Sequence, residues 1–140
     1  MGFDEGNGMF ERLMNQSNAP ELEKMLQFTT ARHNLIAENM ANLSTPNYRQ
    51  KDLSLEKFQS MLGERIEQRD QSAPGSTSFD DLSSELEQPE RGILYHDGST
   101  RSMEQLVTDQ AKNALMHNFV VELLRKQYAT MELALKDRPG

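Results

Sequence analysis

The residue types that most often carry chemistry in proteins are sparse in this chain, which has three histidines and no cysteine. His33, His96 and His117 lie far apart and show neither an HExxH pattern nor another metal-ligand spacing, so a structural role is the better interpretation of each. The lack of cysteine excludes a thiolate zinc site, a cysteine nucleophile and a disulfide framework.

A second candidate for chemistry is the carboxylate pair Asp80 and Asp81, which is followed by Ser83 and Ser84. Side chains that are adjacent in sequence do not converge on one atom, and these residue types are common where a helix starts. The sequence also contains no Gly-rich phosphate loop and no nucleophile elbow. We therefore expect a chain that is not an enzyme and that binds no cofactor and no metal.

Composition favours a chain that packs against neighbours. Of its 140 residues, 36% are hydrophobic, and the mean hydropathy is -0.75. This is little apolar material for a self-sufficient core, so some apolar surface is expected to face other chains. The formal net charge is -7, and the excess acid lies in residues 52–90. Nearly neutral ends can pack side by side without repulsion, whereas the acidic middle is expected to stay in solvent.

Several partners and compartments are disfavoured by the same composition. The sequence has no basic stripe, so a nucleic-acid partner is not expected. The opening "MGFDEGNGMFERLM" carries acids where a secretory signal needs a positive region, and it lacks the apolar run of such a signal. No stretch approaches the roughly 18 consecutive apolar residues of a membrane span. We expect neither a cleaved leader nor a direct membrane span.

An N-terminal helix over residues 18–44 is predicted from its start signal and its period. Asn18 is a plausible N-cap, Glu21 follows three residues later, and Pro20 is in the first turn, where its missing N-H costs nothing. A second apolar strip lies on another side of this helix: Phe28, Ala31 and Leu35. The heptad spacing predicts an assembly seam that comprises Leu22, Leu26, Thr29, His33, Ile36, Met40 and Leu43.

A C-terminal helix over residues 102–138 is predicted in the same way. Ser102 is the expected N-cap, and Gln105 is at the reciprocal position of a capping box. Beside the main seam runs a second stripe: Met116, Val120, Leu123, Gln127, Thr130 and Ala134. The predicted assembly seam of this helix comprises Ala114, His117, Val121, Leu124, Tyr128, Met131 and Leu135.

The predicted fold class is mainly α, with the long N- and C-terminal helices forming an antiparallel coiled-coil-like pair. Residues 1–17 are expected to be a flexible extension. Residues 45–101 are expected to be an irregular or extended acidic middle segment, with a short helix near 54–68. If Leu43 lies near Val107, the heptads place Thr29 opposite Val121 and His33 opposite His117. We also expect the ends to be poorly ordered in the isolated subunit and to become helical on assembly.

The stretch "ENMANLSTPNY", residues 38–48, is a strong signal for ending a helix. Pro46 disfavours the α region for Thr45, so the helix is expected to end near Leu43 or Ser44. Asn47 tolerates a left-handed conformation and can complete a tight reversal. Such a defined exit is most useful where every subunit must present the same corner to its neighbours.

The wider stretch "ARHNLIAENMANLSTPNYRQKDL" resembles the N-terminal motif of the bacterial flagellar rod and hook axial protein family. "HDGSTRSMEQLVTDQAKNALMHNFVVELLRKQYATMELAL" resembles the C-terminal helix of that family and the segment before it. Asn47 stands where the family usually has glycine, and Ser99, Thr100 and Arg101 stand where it generally has an Asn-Asn-Val-like sequence. The matching motif positions are Asn39, Met40, Ala41, Asn42, Thr45, Pro46 and Tyr48.

The resemblance implies a structural subunit of the flagellar basal body, exported through the flagellar type III apparatus to the periplasmic rod. It also implies partners: other rod proteins, export-gate and basal-body proteins, and copies of the chain itself in a helical assembly. Terminal helices of this family form the inner coiled-coil layer of a tube. The alternatives are a soluble helical adaptor or chaperone that binds partner helices, or another proximal rod protein of the same family.

Overall fold

A computed structural model describes residues 19–73, 86, 94–95 and 100–136. The elements follow in the order α1 (Ala19–Ala41), β1 (Asp52–Leu53), α2 (Leu55–Gln71), β2 (Leu94–Tyr95) and α3 (Met103–Lys136). The prediction of a mainly α-helical fold is confirmed. The expected N-terminal extension, the N-cap Asn18, and most of the acidic residues after Asp70 lie outside the described residues.

The capping box predicted at the start of α3 is present. The Ser102 backbone N-H donates to Gln105 Oε1 at 2.9 Å, and the Gln105 N-H donates to Ser102 Oγ at 3.3 Å. Two backbone donors that lack helical acceptors are thus satisfied reciprocally. The helix then runs to Lys136, two residues short of the predicted end.

Helix α2 is the helix expected near residues 54–68, and it extends three residues further, to Gln71. Ser54 caps it, because Ser54 Oγ accepts a hydrogen bond from the Lys57 N-H at 3.2 Å. Its buried side is formed by Phe58, Leu62 and Ile66, which recur every four residues. This spacing gives α2 one apolar face, and that face packs on α1.

The apolar core lies where α1, α2 and the middle of α3 meet. Phe28 of α1 and Phe58 of α2 are fully buried, and their rings stack with centroids 4.5 Å apart. The arginine Arg69, near the end of α2, forms an ion pair with the buried Glu21 of α1. The buried apolar residues of this core cluster are Leu22, Met25, Phe28, Leu53, Phe58, Leu62, Ile66, Leu86, Val120 and Leu124.

Helices α1 and α3 lie alongside each other in opposite directions. Three hydrogen bonds define this arrangement: Tyr128 OH donates to Glu23 Oε1, His117 pairs with Thr29, and Gln110 Nε2 donates to the His33 carbonyl. The predicted register is wrong near the middle, where His117 pairs with Thr29, one helical turn from His33. The His33 side chain is exposed and does not share a layer with His117.

Helix α3 is longer than the helix it packs against. It has 34 residues and α1 has 23, so at about 1.5 Å per residue their lengths are roughly 51 Å and 35 Å. Tyr128 is already opposite Glu23, near the start of α1. The last turns of α3, residues 129–136, lie beside and beyond the start of α1, and every residue in them is exposed. We call this part of α3 the overhang.

Candidate assembly site

The helix-stop turn, residues 42–47, follows α1 directly. Helix α1 ends at Ala41, slightly earlier than predicted, because the Leu43 N-H bonds to the Met40 carbonyl in a tighter turn. Asn47 adopts a left-handed backbone with φ 62°, as expected from its position after proline. The two tight turns reverse the chain, so that residues 48–51, the exit segment, run back along the end of α1.

Asn39 holds the exit segment to the helix. Its side chain is buried, and its amide bonds both backbone groups of Lys51: Nδ2 donates to the Lys51 carbonyl at 2.6 Å, and Oδ1 accepts from the Lys51 N-H at 3.1 Å. Tyr48 OH also donates to Asn39 Oδ1, at 3.3 Å. One side-chain amide thus satisfies both backbone groups of Lys51, because asparagine carries a donor and an acceptor side by side.

Gln50, the residue before Lys51, makes the same kind of two-bond contact between two distant segments. Gln50 is buried; its Nε2 donates to the Arg101 carbonyl at 3.0 Å, and its Oε1 accepts from the Arg101 N-H at 2.9 Å. Arg101 in turn forms an ion pair with Asp109 in the second turn of α3. The exit segment is therefore linked on one side to the end of α1 and on the other to the start of α3.

A bidentate ion pair completes the corner. Arg32 of α1 donates to both carboxylate oxygens of Asp52, from Nε at 3.0 Å and from NH2 at 3.1 Å, and both side chains are largely buried. The two hydrogen bonds fix direction as well as distance, because the planar guanidinium matches the carboxylate. Asp52 also pairs in the β1–β2 ladder with Tyr95. We refer to Arg32, Asn39, Gln50, Asp52 and Arg101 as the corner network.

A polar layer lies between α1 and α3. Thr29 Oγ1 donates to the Leu26 carbonyl at 2.9 Å, so its single proton is used there, and it must accept the 2.9 Å bond from His117 Nδ1-H. Asn113 Nδ2 donates to the Thr29 carbonyl at 2.8 Å. These bonds set the register of the two helices, because they satisfy groups that burial would otherwise leave without partners.

Titration of Tyr48 tests the packing of its side chain and its hydrogen bond to Asn39 of the corner network. Burial, and secondly the negative charge of Glu38, raise the pKa of Tyr48 above its usual 10.0. The pKa of Tyr48 is higher in the folded than in the unfolded chain. Its neutral hydroxyl therefore contributes fully to the free energy of unfolding below about pH 10, and this contribution is lost as pH rises through the folded pKa. We expect Tyr48→Phe to be less stable at neutral pH but to lose less stability between pH 9 and pH 12, as measured by urea unfolding. An equal alkaline loss in both proteins would contradict this.

The predicted seam of α1 is only partly covered in the chain itself. Leu22 and Ile36 are buried, Thr29 is buried in the polar layer, and His33 is exposed. The remaining seam residues, Leu26, Met40 and Leu43, are half-buried. The second strip proves more important for the core, since Phe28 stacks on Phe58.

The predicted seam of α3 is covered even less. Leu124 is buried, and His117 and Val121 are half-buried. The other buried residues of α3 lie outside the predicted seam: Leu106, Asn113 and Val120. The exposed seam residues are Ala114, Tyr128, Met131 and Leu135. That these residues pack against other subunits stays a prediction.

The other motif residues form the outside of the corner. Asn42 Nδ2 donates to the Glu38 carbonyl at 2.9 Å, and Thr45 Oγ1 donates to Asn42 Oδ1 at 3.2 Å. Ala41, Thr45, Pro46 and Asn47 are exposed. The motif thus combines an inner clamp at Asn39 with an outer surface whose shape is fixed by the turn.

Sequence reasoning missed most of the corner network. Gln50 is an ordinary polar residue, and Arg101 stood out in the sequence only as a departure from the family pattern; the fold alone brings the two together. Arg32 and Asp52 are likewise 20 residues apart. The one signal in the sequence was the dense asparagine content of the motif, which includes Asn39.

Two kinds of site are not found in the part of the chain that the structure describes. Within it, no group of three or more histidine, cysteine, aspartate or glutamate side chains could hold a metal ion. Among the same residues, no helix is both long enough and apolar enough to cross a membrane.

Comparison with known proteins finds no match among family models, curated proteins or solved structures.

Proposed function

We propose that the chain is a structural subunit of the proximal rod of the bacterial flagellar basal body, of the type represented by the rod protein FlgB. In this proposal it is exported by the flagellar type III apparatus, and it assembles by helix packing against copies of itself and against other rod proteins. Residues that support the FlgB type include the continuation Arg49, Lys51 and Asp52 after the motif, with Phe58 a little later.

The observation that carries the proposal is the overhang of α3. Met131, Leu133 and Leu135 are 49%, 62% and 67% exposed. At 100° per residue Met131 and Leu135 share one side of the helix and Leu133 lies on the opposite side, so no single neighbour can cover all three. A helix that is apolar on several sides is stable when it is surrounded, and other subunits would surround it in a rod.

The corner network supports the same proposal in a second way. A subunit of a helical assembly must present an identical corner to each neighbour, and this corner is held by two buried polar side chains, Asn39 and Gln50. Their bonds to backbone groups leave few alternative positions for the exit segment. In the rod, the pair formed by α1 and α3 would act as a coiled-coil-like unit, with the acidic middle segment on the outside.

Site-specific photocrosslinking tests the proposal. A photoreactive amino acid at Leu133, within the overhang, is expected to crosslink to rod or export-gate proteins in purified basal bodies. The matched control is Glu56, which is also exposed on a helix but lies at the start of α2, at the far end from Arg69, the residue that pairs with Glu21. Crosslinks from Leu133 only to a soluble cytoplasmic partner would support an adaptor or chaperone instead, and would contradict the rod assignment.

A further inference from the structure

The side of α3 that faces away from the core carries a second heptad pattern. Core-facing positions are Leu106, Asn113, Val120 and Leu124. The opposite side, which we call the outer face, follows a spacing of four, three, four, three, four and four residues, and all of its members are exposed. They are Glu104, Thr108, Ala111, Leu115, Asn118, Glu122 and Lys126.

The centre of the outer face is uncharged and apolar. Leu115 is 71% exposed, the most exposed large apolar residue of the described chain, and Ala111 lies one turn before it. Thr108 and Asn118 are small or uncharged. An exposed leucine alone requires no explanation, but a leucine at the centre of a heptad seam is the usual contact position for another helix.

Two of the three charged residues on this face lie at equal distances from Leu115, and the third, Glu122, has Thr108 at its mirror position. Glu104 precedes it by eleven residues and Lys126 follows it by eleven. Eleven residues make about three helical turns, so all three side chains lie in line, with roughly 16 Å between the centre and each charge. Neither the Glu104 nor the Lys126 side chain forms an ion pair with another residue that the structure describes.

We propose that α3 pairs antiparallel with α3 of a second copy of this chain, about a two-fold axis at Leu115. The two Leu115 side chains then meet at the axis, and Glu104 of each copy lies opposite Lys126 of the other. The contact is isologous, which is the common form of a closed dimer. This proposal does not depend on a role in the flagellum, and it uses a part of α3 that is separate from the overhang.

The charges select this arrangement over its neighbours. A shift of one helical turn towards the start of α3 would place Glu104 opposite Glu122 of the other copy, and like charges in contact oppose association. A parallel pair would place Glu104 against Glu104 and Lys126 against Lys126. Of these three arrangements, the antiparallel pair centred on Leu115 is the one that brings Glu104 to Lys126 at both ends, so the charges favour its direction and its register.

The contact is expected to be weak and dependent on concentration. It involves one helix face from each copy, with a single large apolar side chain at its centre and no aromatic anchor on the axis. Ala111 and Thr108 are small, which allows the backbones to approach. Sedimentation should therefore show a 16.0 kDa monomer at low concentration and twice that mass as concentration rises.

Single cysteines provide the geometric test, since the native chain has none. Leu115→Cys should form a disulfide-linked dimer on mild oxidation, because the two copies of residue 115 lie together at the axis. Val107→Cys is the matched control: it is also exposed on α3, but it would be about 24 Å from its counterpart. Equal crosslinking at both positions, or none at residue 115, would overturn the proposal.

Charge exchange provides the second test. Glu104→Lys alone and Lys126→Glu alone should each weaken the dimer at least tenfold, measured by sedimentation at low salt, because each places like charges together. The chain that carries both changes should recover most of the lost affinity, since the opposite charges again face each other. Circular dichroism checks that each variant folds. Failure of the double variant to recover would show that these residues do not meet.

Discussion

Replacing Phe28 with alanine is expected to lower the free energy of unfolding by about 3–5 kcal/mol, the largest effect of any single substitution in α1. Phe28 is fully buried, and it stacks on Phe58 with ring centroids 4.5 Å apart, so its removal leaves a cavity between two helices. Because the ring joins α1 to α2, the loss should appear in the stability of both. Urea unfolding followed by circular dichroism measures the change.

Two further variants make this result specific. Phe28→Leu fills most of the same space and should cost much less than Phe28→Ala. Leu115→Ala removes an equally apolar side chain from an exposed position and should change the unfolding free energy of the monomer by less than about 0.5 kcal/mol. A small effect of Phe28→Ala, similar to that of Leu115→Ala, would mean that α2 does not pack on α1 as described.

The second large effect is expected at Asn39. Asn39→Ala removes three hydrogen bonds at once, and it leaves both backbone groups of Lys51 without their partner. We expect a loss of about 2–3 kcal/mol in the free energy of unfolding, because groups left unsatisfied cost more than an average hydrogen bond is worth. The exit segment should also exchange its amide hydrogens faster, with Lys51 affected most.

Asn39→Asp shows whether the hydrogen bonds of Asn39 to Lys51, rather than the size of its side chain, provide the stabilisation. Asn39→Asp keeps the size of the side chain, but it places a carboxylate oxygen against the Lys51 carbonyl, so it should be at least as destabilising at neutral pH. Its stability should recover as pH falls, since a protonated carboxyl can donate to that carbonyl again. Asn34→Ala is the matched control on the exposed side of α1 and should cost nothing. If the free energy of unfolding of Asn39→Asp did not change with pH, the hydrogen bond from residue 39 to the Lys51 carbonyl would not be important for stability.

Local signals in the sequence were sufficient for the helices and their ends. The capping box of Ser102 and Gln105 involves neighbours in the chain, and the left-handed conformation of Asn47 depends on its own side chain and on Pro46. Both are set within a few residues, where propensity and turn chemistry act directly. The apolar period likewise indicated two long helices.

Contacts between distant residues could not be obtained in this way. The predicted α3 seam missed the buried heptad of Leu106, Asn113 and Val120, because an apolar pattern does not count an asparagine as a core residue. Asn113 is buried because its amide reaches the Thr29 carbonyl, and that contact exists only once the helices are paired. The same holds for the corner network. Each of its bonds joins a common polar residue to a partner far away in the sequence, and the spacing of apolar residues cannot identify such a partner.

The pairing of Gln50 with Arg101 has a consequence for how this chain can vary in length. Gln50 and Arg101 hold the start and the end of the middle segment together, so an insertion directly after α2, at residues 72–73, should not alter how α1 and α3 align. Doubling the length of a flexible loop adds only about 0.6 kcal/mol to the entropic cost of closing it. Natural variants and engineered fusions should therefore accept added sequence there while the two long helices keep their mutual position.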